Sequence, residues 1–227
     1  MFRPGRDKGI ATPIPLGMAT LGVATFCLGF GLIWQPATQW GAYFGEAVLI
    51  GGIAQFLAGM WAFSYGDPLA ATLFTFAGAF YGWWGLHGMV HAGATIVPLS
   101  EGVVFVVSGI AMACLWLASF YETMVFSLAL LLLWVGWVLA GCSLFAGSSS
   151  VAIASGAALI LSSLFAAYDI FADAYNAATF EDRVPVGEPA MARERAEQEE
   201  LQRLRRLQSA INHQDIRVQS TAEAPRV

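Results

Sequence analysis

Between Gly9 and Asp182 the chain has neither lysine nor arginine; its 11 basic residues are Arg3, Arg6, Lys8, Arg183, Arg193, Arg195, Arg203, Arg205, Arg206, Arg217 and Arg226. No basic face exists to track phosphates, which excludes nucleic acid as a partner. A retinal Schiff base is excluded too, because it needs a lysine amine inside the apolar region. Acids are equally scarce there: Glu46, Asp67, Glu101, Glu122, Asp169 and Asp173 are those between Gly9 and Phe180. Charged residues make up 12% of the chain and hydrophobic ones 57%, against roughly 25% charged in a soluble domain. That is a membrane composition, and the formal net charge of -5 says little about partners. The three cysteines, Cys27, Cys114 and Cys142, lie in or beside apolar runs without metal-ligand spacing, so they read as packing residues.

What the chain does have is long apolar runs. Six can be drawn, at 15–34, 43–64, 69–88, 102–120, 124–145 and 150–174, divided by QPATQW, Gly66-Asp67-Pro68, HAGATIVPLSEG, Tyr121-Glu122 and AGSSS. Each is long enough to cross a hydrocarbon core of about 30 Å. The first follows two prolines, Pro13 and Pro15, which suit the first turn of a helix and not its interior. It ends at Trp34-Gln35-Pro36 with no small-residue cleavage site, so it reads as a retained span and not as a secretory signal. The expected fold is an all-α membrane protein with six transmembrane helices. An even number of spans places both termini on one side. Because all basic residues lie in those termini, that side is the cytoplasm.

The domain plan is then a cytoplasmic segment 1–14, a pore-sized helical domain 15–176 and a charged tail 177–227. Within the tail, 190–212 favours helix, with Glu199 and Arg203 spaced i,i+4 and Leu201, Leu204, Leu207 and Ile211 on roughly one side. A solvated cytoplasmic helix and a short coiled contact between subunits both fit, and Gln208 weakens the second.

Candidate chemistry is sparse. Asp169 and Asp173 share one face near the end of the sixth run. Carboxylates at membrane depth are functional candidates, although here a capping role fits as well. His87 and His91, with Glu101 after the following loop, have a spacing that can hold a metal. Two histidines and one carboxylate fall short of a ligand set, and a pH-sensing pair or ordinary interfacial residues are the alternatives. Glu46 stands alone near the start of the second run. No nucleophile with its base, metal site or cofactor motif emerges, which points away from an enzyme. Gly51-Gly52-x-x-Gln55-x-x-x-Gly59 puts small residues along one helix, allowing close helix approach, and the amide of Gln55 needs a partner at that depth.

Three stretches together carry a family resemblance. Thr12-Pro13-Ile14-Pro15-Leu16-Gly17-Met18 resembles the N-P-A-P-L-G-L signature of the acetate uptake transporter family, the acetate/succinate permeases of bacteria and fungi. Gly51-Gly52-Ile53-Ala54-Gln55-Phe56-Leu57-Ala58-Gly59, followed by Phe74-Thr75 and Gly78-Ala79-Phe80, resembles its second and third helices. Ala172-Asp173-Ala174-Tyr175-Asn176-Ala177 with Val184-Pro185-Val186-Gly187 resembles the end of its sixth helix and the tail. Thr12 stands where the family has asparagine. The resemblance implies a hexamer, each protomer with its own pore, closed midway by side chains at about Leu21, Ala77 and Leu131. Ala77 takes the place of a common tyrosine, so the constriction is either wider or filled by Phe76, Tyr81 or another aromatic.

A carboxylate crossing this region meets no Arg or Lys. Either hydroxyls, amides and helix N-termini hold the anion, or the neutral acid passes. Acid pH favours the second, since small carboxylic acids titrate near Glu, at roughly 4.3. The reading is a proton-coupled or passive pathway for acetate and similar short monocarboxylates in the cell membrane, without cofactor. Leu21, Phe76, Ala77 and Leu131 line its constriction, and Gln55, Thr75 and Asn176 support it. A channel for a neutral solute (urea, an amide or ammonia) and a membrane sensor or assembly factor working through its tail are the alternatives.

Overall fold

The computed structural model describes residues 11–34, 41–91, 98–179, 183–187, 189, 191, 197 and 200–205. Six long helices account for most of them: α1 (Ile14–Trp34), α2 (Gly41–Tyr65), α3 (Pro68–Val90), α4 (Pro98–Ala118), α5 (Met124–Ala146) and α6 (Ser149–Thr179). All except α3 are long and apolar enough to cross a membrane. Over Leu69–Val90, α3 also lacks a formal charge, but its Gly, Thr, Tyr and Trp residues lower its hydropathy. The protein is a multi-pass membrane protein.

Local chemistry sets the helix ends. At the start of α1, Ile14 N donates to Thr12 Oγ1 at 3.4 Å and Gly17 N to Pro13 O at 3.0 Å. Pro13 and Pro15 thus occupy positions where no amide donor is required. Asp67 caps α3 by accepting from Ala70 N at 2.9 Å, with Pro68 in the first turn, and Gly66 supplies the left-handed residue before it at φ 89°. Thr123 caps α5, accepting from Phe126 N at 3.3 Å. These tight turns leave α2–α3 and α4–α5 as hairpins. The tail is helical over 200–205 and exposed there; the rest of the helix expected at 190–212 lies mostly outside the described residues.

Neighbouring helices close a ring: α1 packs on α2 and α6, α6 on α5, α5 on α4, and α2 on α3, while α3 and α4 meet over a smaller area. One feature was not legible in the pattern of residues. Over Ala47–Ala54 α2 is a π-helix, a wider winding that recurs at functional sites. Its Gly51 and Gly52 lie against α1 and α3, where a Cβ would come within 2.7 Å of Ala24 Cβ and 2.9 Å of Gly82 Cα respectively.

Candidate functional site: a polar pair beneath an aromatic seal

The motifs of α1, α2 and α3 converge in space. Gly17 sits directly against the ring of Phe74, and Gly59 against Thr75, with the Cα of Thr75 2.9 Å from where a Cβ would be. At the same junction Thr20 donates from Oγ1 to Oε1 of Gln55. The Thr20 hydroxyl also lies 3.0 Å from the carbonyls of Leu16 and Gly17. Gln55 is fully buried, and among the described residues its Nε2 has no hydrogen-bond partner. The buried Oγ1 of Thr75 has none either. At this junction two polar groups are therefore without a partner among the described residues, and burying such a group unpaired costs about 1–3 kcal/mol.

About one helical turn beyond Gly17 on α1 and Phe74 on α3, Leu21 and Ala77 are both in the buried core. Next come Thr25 and Tyr81, whose hydroxyls are 2.7 Å apart with both residues fully buried. Tyr81 meets the indole of Trp137 edge-on, at 5.7 Å between centroids. Phe80 stacks on the same indole at 3.9 Å and meets Phe105 edge-on at 5.2 Å. Side chains from α1, α3, α4 and α5 thus close one layer of the bundle, and none carries a formal charge. Ala77 is fully buried, and Phe80 and Tyr81 follow it one turn later on the same helix.

Other sequence-derived candidates fall elsewhere. Phe76 is half-buried and packs against the core. Leu131 is half-buried and outside the core, whereas Leu130 and Leu133 on the same helix are completely buried. The amide of Asn176 is used by the segment that follows α6: Oδ1 accepts from Arg183 N and Val184 N, and Nδ2 donates to Val184 O. Trp137 carried no signal of its own, because α5 is apolar all round and no polar face marks which of its two tryptophans turns inward.

At the end of the bundle where α1, α3 and α5 begin, an opening is lined by Ile14, Asp67, Glu122, Thr123, Asp169 and Asp173 among others. Asp169 is buried there and accepts from Thr123 Oγ1 at 3.5 Å. At the opposite end, His87 Nδ1 of α3 is 3.1 Å from Glu101 Oε1 of α4, and His91 stacks on His87 at 4.2 Å. Among the described residues no group of three or more His, Cys, Asp and Glu is placed to hold a metal.

A bundle of membrane-length helices with a core layer of uncharged aromatic side chains defines a polytopic membrane protein. The chain belongs to the GPR1/FUN34/yaaH family, whose model matches residues 2–186, the same family that the amino-terminal motif resembles. Among solved structures it is similar to a bacterial acetate channel, SatP, at 23% identity and a TM-score of 0.73. That match covers 78% of this chain and 99% of the other, and it shows a shared fold. No curated protein sequence matches the chain.

Proposed function

We propose that the protein is a channel or transporter for acetate and similar short monocarboxylates, not an enzyme. Family membership and the fold shared with a bacterial acetate channel support this reading. The observation that carries it is the buried amide of Gln55, with Nε2 unpaired among the described residues in a region without a cation. A carboxyl oxygen is the acceptor that Nε2 lacks, and Thr75 Oγ1 supplies a second polar contact one turn along the same crossing. Thr20 orients the amide from the other side.

The aromatic layer is the constriction in this reading. Leu21, Ala77 and Leu133 form its approach, with Phe76 and Leu131 on its flank. Phe80, Tyr81 and Trp137 form the seal. A narrow apolar layer excludes hydrated ions by dewetting, which favours the protonated acid. Flux should therefore rise as pH falls toward the substrate's own titration. The remaining parts of the proposal are six spans with α3 among them, both termini in the cytoplasm, a six-helix pore domain over 15–176 and a homo-hexamer with one pore per protomer. Proton coupling and succinate as a further substrate complete it.

Uptake of labelled acetate into liposomes holding the purified protein, at about pH 5 and about pH 7 with urea as parallel solute, tests the reading. Saturable acetate uptake that grows at acid pH is the expected result. Urea uptake without acetate uptake would overturn it in favour of a neutral-solute channel.

A further inference from the structure

The segment after α6 turns back onto the bundle instead of leaving it. Asn176 Oδ1 accepts from Arg183 N at 3.0 Å and Val184 N at 2.8 Å, and its Nδ2 donates to Val184 O at 3.0 Å. Tyr168 Oη donates to Pro185 O at 2.7 Å. Beyond these, Val125 N donates to Val186 O and Met191 N donates to Phe120 O, both at 3.2 Å. Gly187 adopts φ 76°, and a Cβ there would lie 2.7 Å from Met124 Cβ. Val184 and Val186 are half-buried while Arg183, Pro185 and Gly187 are exposed, the alternation of an extended strap lying on a surface.

Where the strap lands matters more than how it is held. Val125 N belongs to the first turn of α5, one of the amides that a helix leaves unpaired, and Phe120 O lies in the short 3₁₀ turn Ser119–Tyr121 between α4 and α5. The strap therefore joins α6 to the α4–α5 hairpin by completing the hydrogen bonds of its turn. The start of α5 is also tied to α6 through Thr123 and Asp169. The same helix carries Leu130, Leu133 and Trp137 in the core, and Trp137 lies about 18 Å from Val125 along it. A packed helix moves as a unit, so a grip on its first turn reaches the indole that closes the aromatic layer.

We propose that residues 183–187, with the amide of Met191, form a latch on the constriction: docked, the strap holds α5 with Trp137 stacked on Phe80, and undocked, it frees α5 to shift and open that stack. This rests on the reading of the aromatic layer as the constriction. The contacts lie at the edge of the bundle, so the strap can detach without exposing the core.

The test uses the full chain with Cys27, Cys114 and Cys142 replaced by alanine and Ala77→Cys as reporter. Its rate of reaction with a small thiol reagent reads opening of the buried layer without any substrate. Asn176→Ala removes the side chain that grips Arg183 and Val184, and Gly187→Ala puts a Cβ against Met124 from outside the bundle, so one variant remains if the other fails to fold. Amide exchange at Val125, whose N donates to Val186 O across the strap and whose acceptor neither substitution removes, reports undocking. Each variant is expected to raise both exchange and thiol reaction on the order of tenfold, the scale of one or two lost hydrogen bonds. Faster exchange with unchanged thiol reaction overturns the latch, as does unchanged exchange in both variants. Acetate uptake measured in parallel separates the two readings: if the protein carries no acetate but the thiol rates respond, the latch stands and the substrate assignment falls.

Discussion

Phe80 of α3 and Trp137 of α5 stack face to face, with ring centroids 3.9 Å apart and planes inclined by 29°. This contact bridges two helices that are not neighbours around the ring, so it closes space that backbone packing leaves open. Replacing Trp137 by alanine removes the largest fully buried side chain and should cost about 3–5 kcal/mol of stability. Flux should move the other way. Trp137→Ala is expected to raise uptake of propionate and succinate relative to acetate, while Trp137→Phe keeps the wild-type order. An unchanged size order in the alanine variant would remove Trp137 from the constriction.

Leu131 and Leu133 offer a direct comparison on the same helix. Leu133 is fully buried and Leu131 is half-buried, so Leu133→Ala leaves a cavity beside the aromatic layer. It should cost about 2–5 kcal/mol and alter size selectivity, and Leu131→Ala should do less on both counts. Thermal unfolding and competition among acetate, propionate and succinate measure the two effects. The reverse ranking would put Leu131, and not Leu133, at the approach.

The helices were legible in the sequence because the bilayer imposes a length and a ban on charge that few other structures share. Their ends were legible through Pro13, Pro15 and Gly66-Asp67-Pro68. Gln55 and Gly59 stood out because a lone amide and regularly spaced glycines are conspicuous among apolar residues, and each does meet a partner on another helix. Which faces of the helices turn inward was not legible. In a membrane both the lipid side and the interior accept leucine and phenylalanine, so Trp134 and Trp137, or Leu131 and Leu133, look alike without coordinates. The π-helical stretch was hidden for a related reason, since it depends on how closely Gly51 and Gly52 approach α1 and α3. A polar residue near a span end, such as Asn176, suits a pathway and a strap equally, and the sequence did not show that its amide meets Arg183 and Val184.

Gly59 makes the α2–α3 crossing a stringent test of packing. A methyl group there meets the backbone of Thr75 as well as its hydroxyl, and backbone cannot rotate away. Gly59→Ala should destabilise the protein by about 1–3 kcal/mol and push α3 away from α2 at Thr75. Gly45→Ala, with nothing within 4 Å of the added atom, is the matched control. Equal melting temperatures for the two variants would mean that the helices do not cross this closely.

Gln55 separates a binding group from a structural one. Its Nε2 is buried without a partner among the described residues, so a leucine of similar size removes an unpaired donor, and such replacements are neutral or stabilising. Thr20 does not lose by the change, because its hydroxyl retains the carbonyls of Leu16 and Gly17 at 3.0 Å. If the amide serves the fold, Gln55→Leu lowers stability and uptake together. If it serves the solute, the variant melts at the same or a higher temperature while acetate uptake falls about tenfold, the loss of one hydrogen bond to a carboxyl group. The second pattern is the one expected, since a buried polar group kept at a cost to stability is the usual mark of a site maintained for function. Thermal unfolding of purified Gln55→Leu beside its acetate uptake at acid pH decides it, and full uptake in a stable variant would take Gln55 out of the pathway.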